Sequence, residues 1–175
     1  MKQKITIEEH NVKWESEFYK LQTLINNAME ELVLSIEHVG STSVKGLISK
    51  PILDIDIVIE DYEFFPEAVK RLEMIGYYHQ AEWSFKGREA FGRKDAFVPW
   101  SGESTVWMEH HLYVCDKNSE ELRGHVAFRN YLREHPDVAI EYGRLKEDLA
   151  RASKNRAGYS EGKTVFVTNI LEKIN

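Results

Sequence analysis

Ile52-Leu53-Asp54-Ile55-Asp56-Ile57-Val58-Ile59 is as apolar as the centre of a sheet, yet it carries two aspartates two positions apart. Side chains alternate along a strand, so Asp54 and Asp56 share one face and Leu53, Ile55, Ile57 and Ile59 share the other. Two carboxylates on one face of a buried strand repel each other and lose hydration unless a positive charge compensates them. A divalent cation is the common solution, and hard oxygen ligands suit magnesium or manganese. The bland alternative has one aspartate capping a loop while the other pairs with a nearby lysine or arginine.

Upstream, an apolar strand over Ile36 to Val39 ends in the turn Gly40-Ser41, followed by Thr42-Ser43-Val44-Lys45-Gly46. Glycine lets a backbone approach a phosphate closely, while exposed N–H groups and hydroxyls cradle its oxygens. Such a turn also serves as a plain tight connection. Coupled to Asp-x-Asp in a hydrophobic strand, it resembles the signature of the DNA polymerase beta-like nucleotidyltransferase superfamily. That resemblance implies nucleotidyl or phosphoryl transfer, in which positioning and charge neutralisation by metal do most of the catalytic work. It also implies a third carboxylate from a later strand.

A closer resemblance, to the GrpB family, rests on segments spread in order along the chain. They are Glu37-His38-Val39-Gly40-Ser41-Thr42-Ser43-Val44, Gly46-Leu47, Lys50-Pro51-Ile52-Leu53-Asp54-Ile55, His110-His111-Leu112-Tyr113-Val114, Phe128-Arg129-Asn130-Tyr131-Leu132-Arg133 and Glu141-Tyr142-Gly143-Arg144-Leu145-Lys146. The resemblance implies the nucleotidyltransferase-like fold.

The segment Thr105 to Cys115 reads as the last strand and the source of further ligands. Strand alternation places Trp107, Glu109, His111 and Tyr113 on one face, and Val106, Met108, His110, Leu112 and Val114 on the other. On the apolar face His110 reads as a satisfied structural histidine. Glu109 and His111, on the polar face, are the candidates to complete a metal or proton-transfer site with Asp54 and Asp56; a solvated sheet face is the alternative. A histidine ligand would shift the metal from magnesium toward manganese or zinc. The phosphate binders on offer are Gly40, Ser41, Thr42, Ser43 and, first among the cations, Lys50. Arg88, Arg93 and Lys94 follow, each more commonly a solvated surface charge. Arg129, Tyr142, Lys146, Tyr159 and Lys163 either fasten the C-terminal helices over the sheet or line its cleft, fastening being the commoner use.

The 175 residues include 42% hydrophobic side chains, enough for one well-formed core, and a net charge of −6 with no basic block. Nucleic-acid binding is disfavoured, because its affinity comes from neutralising phosphates. The single cysteine, Cys115, fits a reducing cytosol as a buried apolar residue. Met1-Lys2-Gln3-Lys4-Ile5 lacks the apolar run of a signal peptide, and no stretch approaches a membrane span, so a cytoplasmic protein is expected.

Residues 1–12 read as extended. An amphipathic helix follows from Lys13 to Val33, with Trp14, Phe18, Leu21, Ile25 and Met29 on its stripe. After the aspartate strand come a helix over Asp61 to Gly76, strands over Tyr77 to Phe85 and Ala90 to Trp100, and the Thr105 to Cys115 strand. Helices are expected over Ser119 to Glu134, Asp137 to Ala152 and Ser160 to Ile174, with serine caps at Ser119 and Ser160. The sum is a single α+β nucleotidyltransferase-like domain over 1–175. It joins an α/β core (1–116), with a mixed, mostly antiparallel sheet and an N-terminal helix, to a helical extension (117–175). The function expected is metal-dependent nucleotidyl or phosphoryl transfer from a nucleoside triphosphate to a small-molecule acceptor. A non-catalytic nucleotide- or metabolite-binding module of the same fold is the alternative.

Overall fold

The structure, a computed structural model, describes residues 5–153 and 156–174, with the side chain of residue 156 also outside the description. Residues 1–4 of the expected extended N-terminus lie outside the described residues; farther on, Glu8 exchanges backbone hydrogen bonds with Ser49 at 2.8 and 2.9 Å. In order, the elements are α1 (Lys13–Met29), β1 (Val33–Val39), β2 (Leu53–Ile59), α2 (Phe65–Met74), β3 (Tyr77–His79), β4 (Glu89–Arg93), β5 (His110–Asp116), α3 (Glu120–Glu134), α4 (Pro136–Ala152) and α5 (Arg156–Ile174). The strands form one sheet in the order β1-β2-β5-β4-β3. Only the β2–β5 pairing is parallel, so the sheet is mixed and mostly antiparallel, as expected.

Alternation along β2 decides the layering. Leu53, Ile55, Ile57 and Ile59 are all 0% exposed and pack under Trp14, Phe18, Leu21, Ile25 and Met29 of α1 and Ala68 and Leu72 of α2. Burying such a side chain contributes about 1.5–3 kcal/mol, so this strand and α1's stripe dominate the core. Asp54, Asp56 and Val58 face the other way, toward α3, on which α4 and α5 pack. Val58 packs with Cys115 and Leu122, while a separate apolar cluster of Val44, Leu47, Leu132, Ala139 and Tyr142 joins the Gly40 loop to the helices.

Several boundaries differ from the sequence reading. The first helix stops at Met29, not Val33, because Glu30 turns to φ +52° and a short 3-10 turn leads into β1. Arg71 of α2 satisfies the freed Met29 carbonyl at 2.7 Å. The strand expected over Tyr77 to Phe85 ends at His79, where Ser84 folds back, donating to Gln80 O and accepting from Ala90 N. The strand expected to reach Trp100 ends at Arg93, and the one expected from Thr105 begins at His110. Between them the chain loops, with Asp95 capping Phe97 N and Trp107 Nε1 donating to Pro99 O. Trp107 is consequently in the main core, off the face assigned to it by simple alternation. Ser119 caps α3 by accepting from Leu122 N, as its position suggested. The last helix starts at Arg156, ahead of Ser160.

Replacing Ile57 by alanine should lower unfolding free energy by roughly 2–5 kcal/mol, since a fully buried strand position leaves a cavity. Ile140→Ala, at a residue 57% exposed, should shift the urea midpoint little. Equal losses from the two variants would refute the layering described.

Candidate functional site

On the polar face of β2, each aspartate is held by one imidazole. His111 of β5, opposite Asp54 in the parallel register, places Nδ1 2.9 Å from Asp54 Oδ1. His125 of α3 places Nδ1 2.7 Å from Asp56 Oδ2. A carboxylate only accepts, so each Nδ1 carries the proton it donates and each Nε2 becomes the acceptor nitrogen in the neutral ring. Asp56 is 0% exposed, and its second oxygen, Oδ1, is buried without a hydrogen-bond partner. Burial works against the charged form of His125, but the hydrogen bond and charge of Asp56 outweigh it and raise the imidazole pKa. His125 escaped the sequence reading. Its only signal is its place on the inward side of α3, one turn beyond the buried Leu122.

The Gly40 turn fits against the first aspartate. Gly40 has φ +69° and ψ −174°, a region open essentially to glycine, and a Cβ there would lie 2.2 Å from Asp54 Oδ2. The hydroxyls that follow divide their roles. Ser41 lines the cavity in front of Asp54. Thr42 and Ser43, read as phosphate binders, are buried and brace the turn: Thr42 donates to Ile52 O at 3.2 Å and Ser43 to Gly40 O at 2.5 Å. They line a different cavity, beside His38 and Arg133. His38, its pKa pushed down to about 4 by burial, has Nε2 3.0 Å from the Thr42 hydroxyl. Arg133 donates twice to Ser43 O, and Arg129 reaches Glu37 and His38 O, so α3 is fastened to the loop by arginines.

The cavity in front of Asp54 measures about 590 Å³, and three lysines line it: Lys50, Lys146 and Lys163. Lys50 and Lys163 both sit over the ring of Tyr159, at 4.1 and 4.6 Å. Lys146, 2% exposed, donates to Ile48 O and lies 4.9 Å from the Tyr142 ring. Burial, with Lys163 nearby, lowers its pKa to about 7, and burial lowers that of Lys163 as well. Thus Lys146, Tyr159 and Lys163, for which fastening was the commoner expectation, line the cleft, while Arg129 does fasten.

Glu109 does not join the aspartates. It precedes the regular part of β5, so the alternation that paired it with His111 has not begun. Its side chain is 64% exposed with Arg93 at 4.0 Å, and it lines a neighbouring cavity. His110 is structural: Tyr77 OH lies 2.6 Å from Nε2, Met108 O 2.8 Å from Nδ1, and burial lowers its pKa to about 4.

The donor set bears directly on a cation. Among the described residues no three His, Cys, Asp or Glu side chains gather into a metal cage. Two same-face carboxylates remain, each oriented by an imidazole N–H as ligating carboxylates commonly are. One of them has an unpartnered buried oxygen. That set fits a hard cation whose other ligands are phosphate oxygens and water. It does not fit a cation held by the protein alone.

A family model described as GrpB protein matches residues 4–173. The glutamate-rich protein GrpB of Alkalihalophilus pseudofirmus is 32% identical over 94% of this chain and 92% of its own length. Protein YqkA of Bacillus subtilis is 28% identical over 98% of this chain but only 47% of YqkA, so the chain spans about half of that relative. Among solved structures, the conserved protein GrpB from Enterococcus faecalis superposes with a TM-score of 0.79 at 30% identity, covering 97% of this chain and 96% of that one. The Cid1 poly(U) polymerase bound to MgATP matches with a TM-score of 0.54 at 7% identity, over 79% of this chain and 45% of the polymerase, a likeness of fold.

Gly40→Ala should destabilise the protein by roughly 1–3 kcal/mol in urea unfolding, since the backbone there excludes a side chain. No loss would mean that the turn relaxes freely. Stabilisation of the protein by sulfate, which keeps its charge across the range, should be larger at pH 6 than at pH 8.5, because Lys146 loses its proton above about 7. Lys146→Met should flatten that profile, and an unchanged profile in the variant would remove Lys146 from anion binding.

Proposed function

This chain belongs to the GrpB family, and from that premise we propose that it transfers a nucleotidyl or phosphoryl group from a nucleoside triphosphate to a small-molecule acceptor. The observation that carries the reading is Asp54 beside the Gly40–Ser41 turn, at the wall of a cavity lined by three lysines, with Asp56 buried next to it on the same face of β2. The distant likeness to a nucleotidyltransferase with bound MgATP supports the fold's suitability for such a ligand.

In this reading Ser41, Lys50, Lys146 and Lys163 hold the phosphates. Lysine acts there as a point charge, and the low-dielectric setting strengthens each contact. Asp54 and Asp56 are the residues that would hold a magnesium or manganese ion, which when bound neutralises charge on the phosphates. His111, with Nδ1–H directed to Asp54, presents Nε2 as the proton acceptor for an attacking hydroxyl. The acceptor oxygen bonds to phosphorus as the bond to the leaving group breaks, pyrophosphate in nucleotidyl transfer or the nucleoside diphosphate in phosphoryl transfer, and the hydroxyl proton passes to the imidazole. His125 orients Asp56 from behind. The net charge of −6 is in keeping with a small acceptor over a nucleic acid.

A second reading, a nucleotide- or metabolite-binding module without transfer activity, is favoured by the position of Glu109, which leaves the site with two carboxylates. The helices among the described residues include none long and apolar enough to cross a membrane.

Titration with the four nucleoside triphosphates, each with and without manganese, should raise the melting temperature. Ligand at a hundred times its dissociation constant adds about 2.7 kcal/mol, or roughly 5–10 °C for a chain of this size. Asp54→Asn should abolish the manganese-dependent part. Release of pyrophosphate or of nucleoside diphosphate that depends on an added acceptor would select the transferase. Binding without turnover across an acceptor panel would select the module, and no shift with any nucleotide and metal would reject both.

A further inference from the structure

A second cavity adjoins the first and has no role in the reading above. Hydrogen-bonded pairing between β4 and β5 runs only from Glu89–Val114 to Phe91–Leu112. Beyond it β4 continues to Arg93 by pairing with Tyr77 of β3, while β5 extends back to His110. Residues of both diverging strands, with the loop after β4, line a cavity of about 610 Å³. Its lining carries three cations, Arg88, Arg93 and Lys94, against two carboxylates, Asp95 and Glu109.

The arginines are not satisfied by the protein. Arg93 has a side chain 14% exposed; Glu109 approaches it only to 4.0 Å, and Nη1 is buried without a partner. The guanidinium of Arg88 stacks 4.6 Å from the rings of both Phe85 and Tyr113, a placement that fixes its plane. Its Nη2 makes one long bond to Trp83 O at 3.4 Å, and its Nε is buried without a partner. Asp95, the other nearby carboxylate, caps Phe97 N at 2.9 Å. Buried guanidinium N–H groups left unbonded are costly, and their fork geometry matches the oxygens of a carboxylate or phosphate. The two cavities are also neighbours, with His111 and Trp83 in the walls of both. Trp83 is 66% exposed, so an aromatic face is on offer at the junction.

We propose that the cavity lined by Arg88 and Arg93 is the subsite for the anionic group, carboxylate or phosphate, of the acceptor molecule. The proposal rests on the transferase reading of the Asp54 cavity and deepens it by giving the acceptor a chemical class: a small hydroxylated organic anion. With its anion among the arginines, such a molecule extends past Trp83 and presents a hydroxyl at His111, where the proton acceptor lies.

The test uses the full chain and calorimetric titration with two sets of small hydroxylated anions, phosphate monoesters such as glycerol 3-phosphate and hydroxycarboxylates such as glycerate and citrate. Each is titrated with and without manganese and the nucleoside triphosphate that stabilises the protein most. Binding by at least one set is expected, and the set that binds names the anion. Arg93→Met and, separately, Arg88→Met should weaken it about tenfold or more, while the nucleotide-dependent melting shift stays as in the parent. That retained shift also shows that the variants are folded. Lys146→Met should do the reverse, reducing the nucleotide shift and sparing the anion. A nucleotide shift with no anion bound by the parent protein, or anion binding indifferent to both arginine variants, overturns the subsite and leaves the transferase reading standing. Arginine-dependent anion binding in a protein that no nucleotide stabilises overturns the acceptor role, because the reading on which it rests has then failed.

Discussion

Burying Asp56 is the demand around which the rest of the molecule is arranged. A carboxylate at 0% exposure on a sheet strand is unstable unless hydrogen bonds and opposite charge replace its water. The α3 helix answers with His125 at 2.7 Å, and the imidazole gains proton affinity in return. That single contact ties the helical layer to the sheet at the point where both aspartates face it. Replacing one such partner strands a charge, which is why a buried pair constrains a fold more than it stabilises it.

The same layer builds the cavity. Arg129 and Arg133 clamp the turn that follows β1, so Gly40 stays against Asp54 and Ser41 stays in front of it. Lys146 from α4 and Lys163 from α5 converge with Lys50 around Asp54, with two tyrosine rings between them. Three lysines beside one carboxylate, one of them, Lys146, only partly protonated near neutral pH, gather basic groups in the cavity of a protein whose net charge is −6. Local positive charge inside an acidic surface selects small anions that can enter a pocket and repels long polyanions that cannot. Depression of the Lys146 pKa to about 7 records what burial and the neighbouring Lys163 cost its charged form.

The imidazoles change how the acidic pair is understood. Each takes one oxygen of its aspartate and leaves the other: Asp54 Oδ2 beside Gly40, and Asp56 Oδ1 buried without a partner. They hold the carboxylates in orientation without occupying them. The third carboxylate suggested by the superfamily resemblance is not supplied by Glu109, which pairs loosely with Arg93 at the mouth of the neighbouring cavity.

Much of this was legible in residues 36–59. Alternation and hydrophobicity alone separate the isoleucine face of β2 from its aspartate face, because side-chain direction in a strand is set by local geometry. Helix periodicity likewise marked the α1 stripe, and the Ser119 cap marked the start of α3. Strand ends were not legible: His79, Arg93 and His110 are boundaries imposed by which strand each finds beside it, a non-local matter. The same non-locality hid His125 and the cleft roles of Lys146 and Lys163, which lie 69, 92 and 109 residues beyond Asp56, Asp54 and Asp54 respectively in the chain. A sequence records the spacing of neighbours along a strand or helix. Which cation meets which carboxylate across the sheet is decided only when the helices pack, because contact between distant segments depends on the whole arrangement of layers.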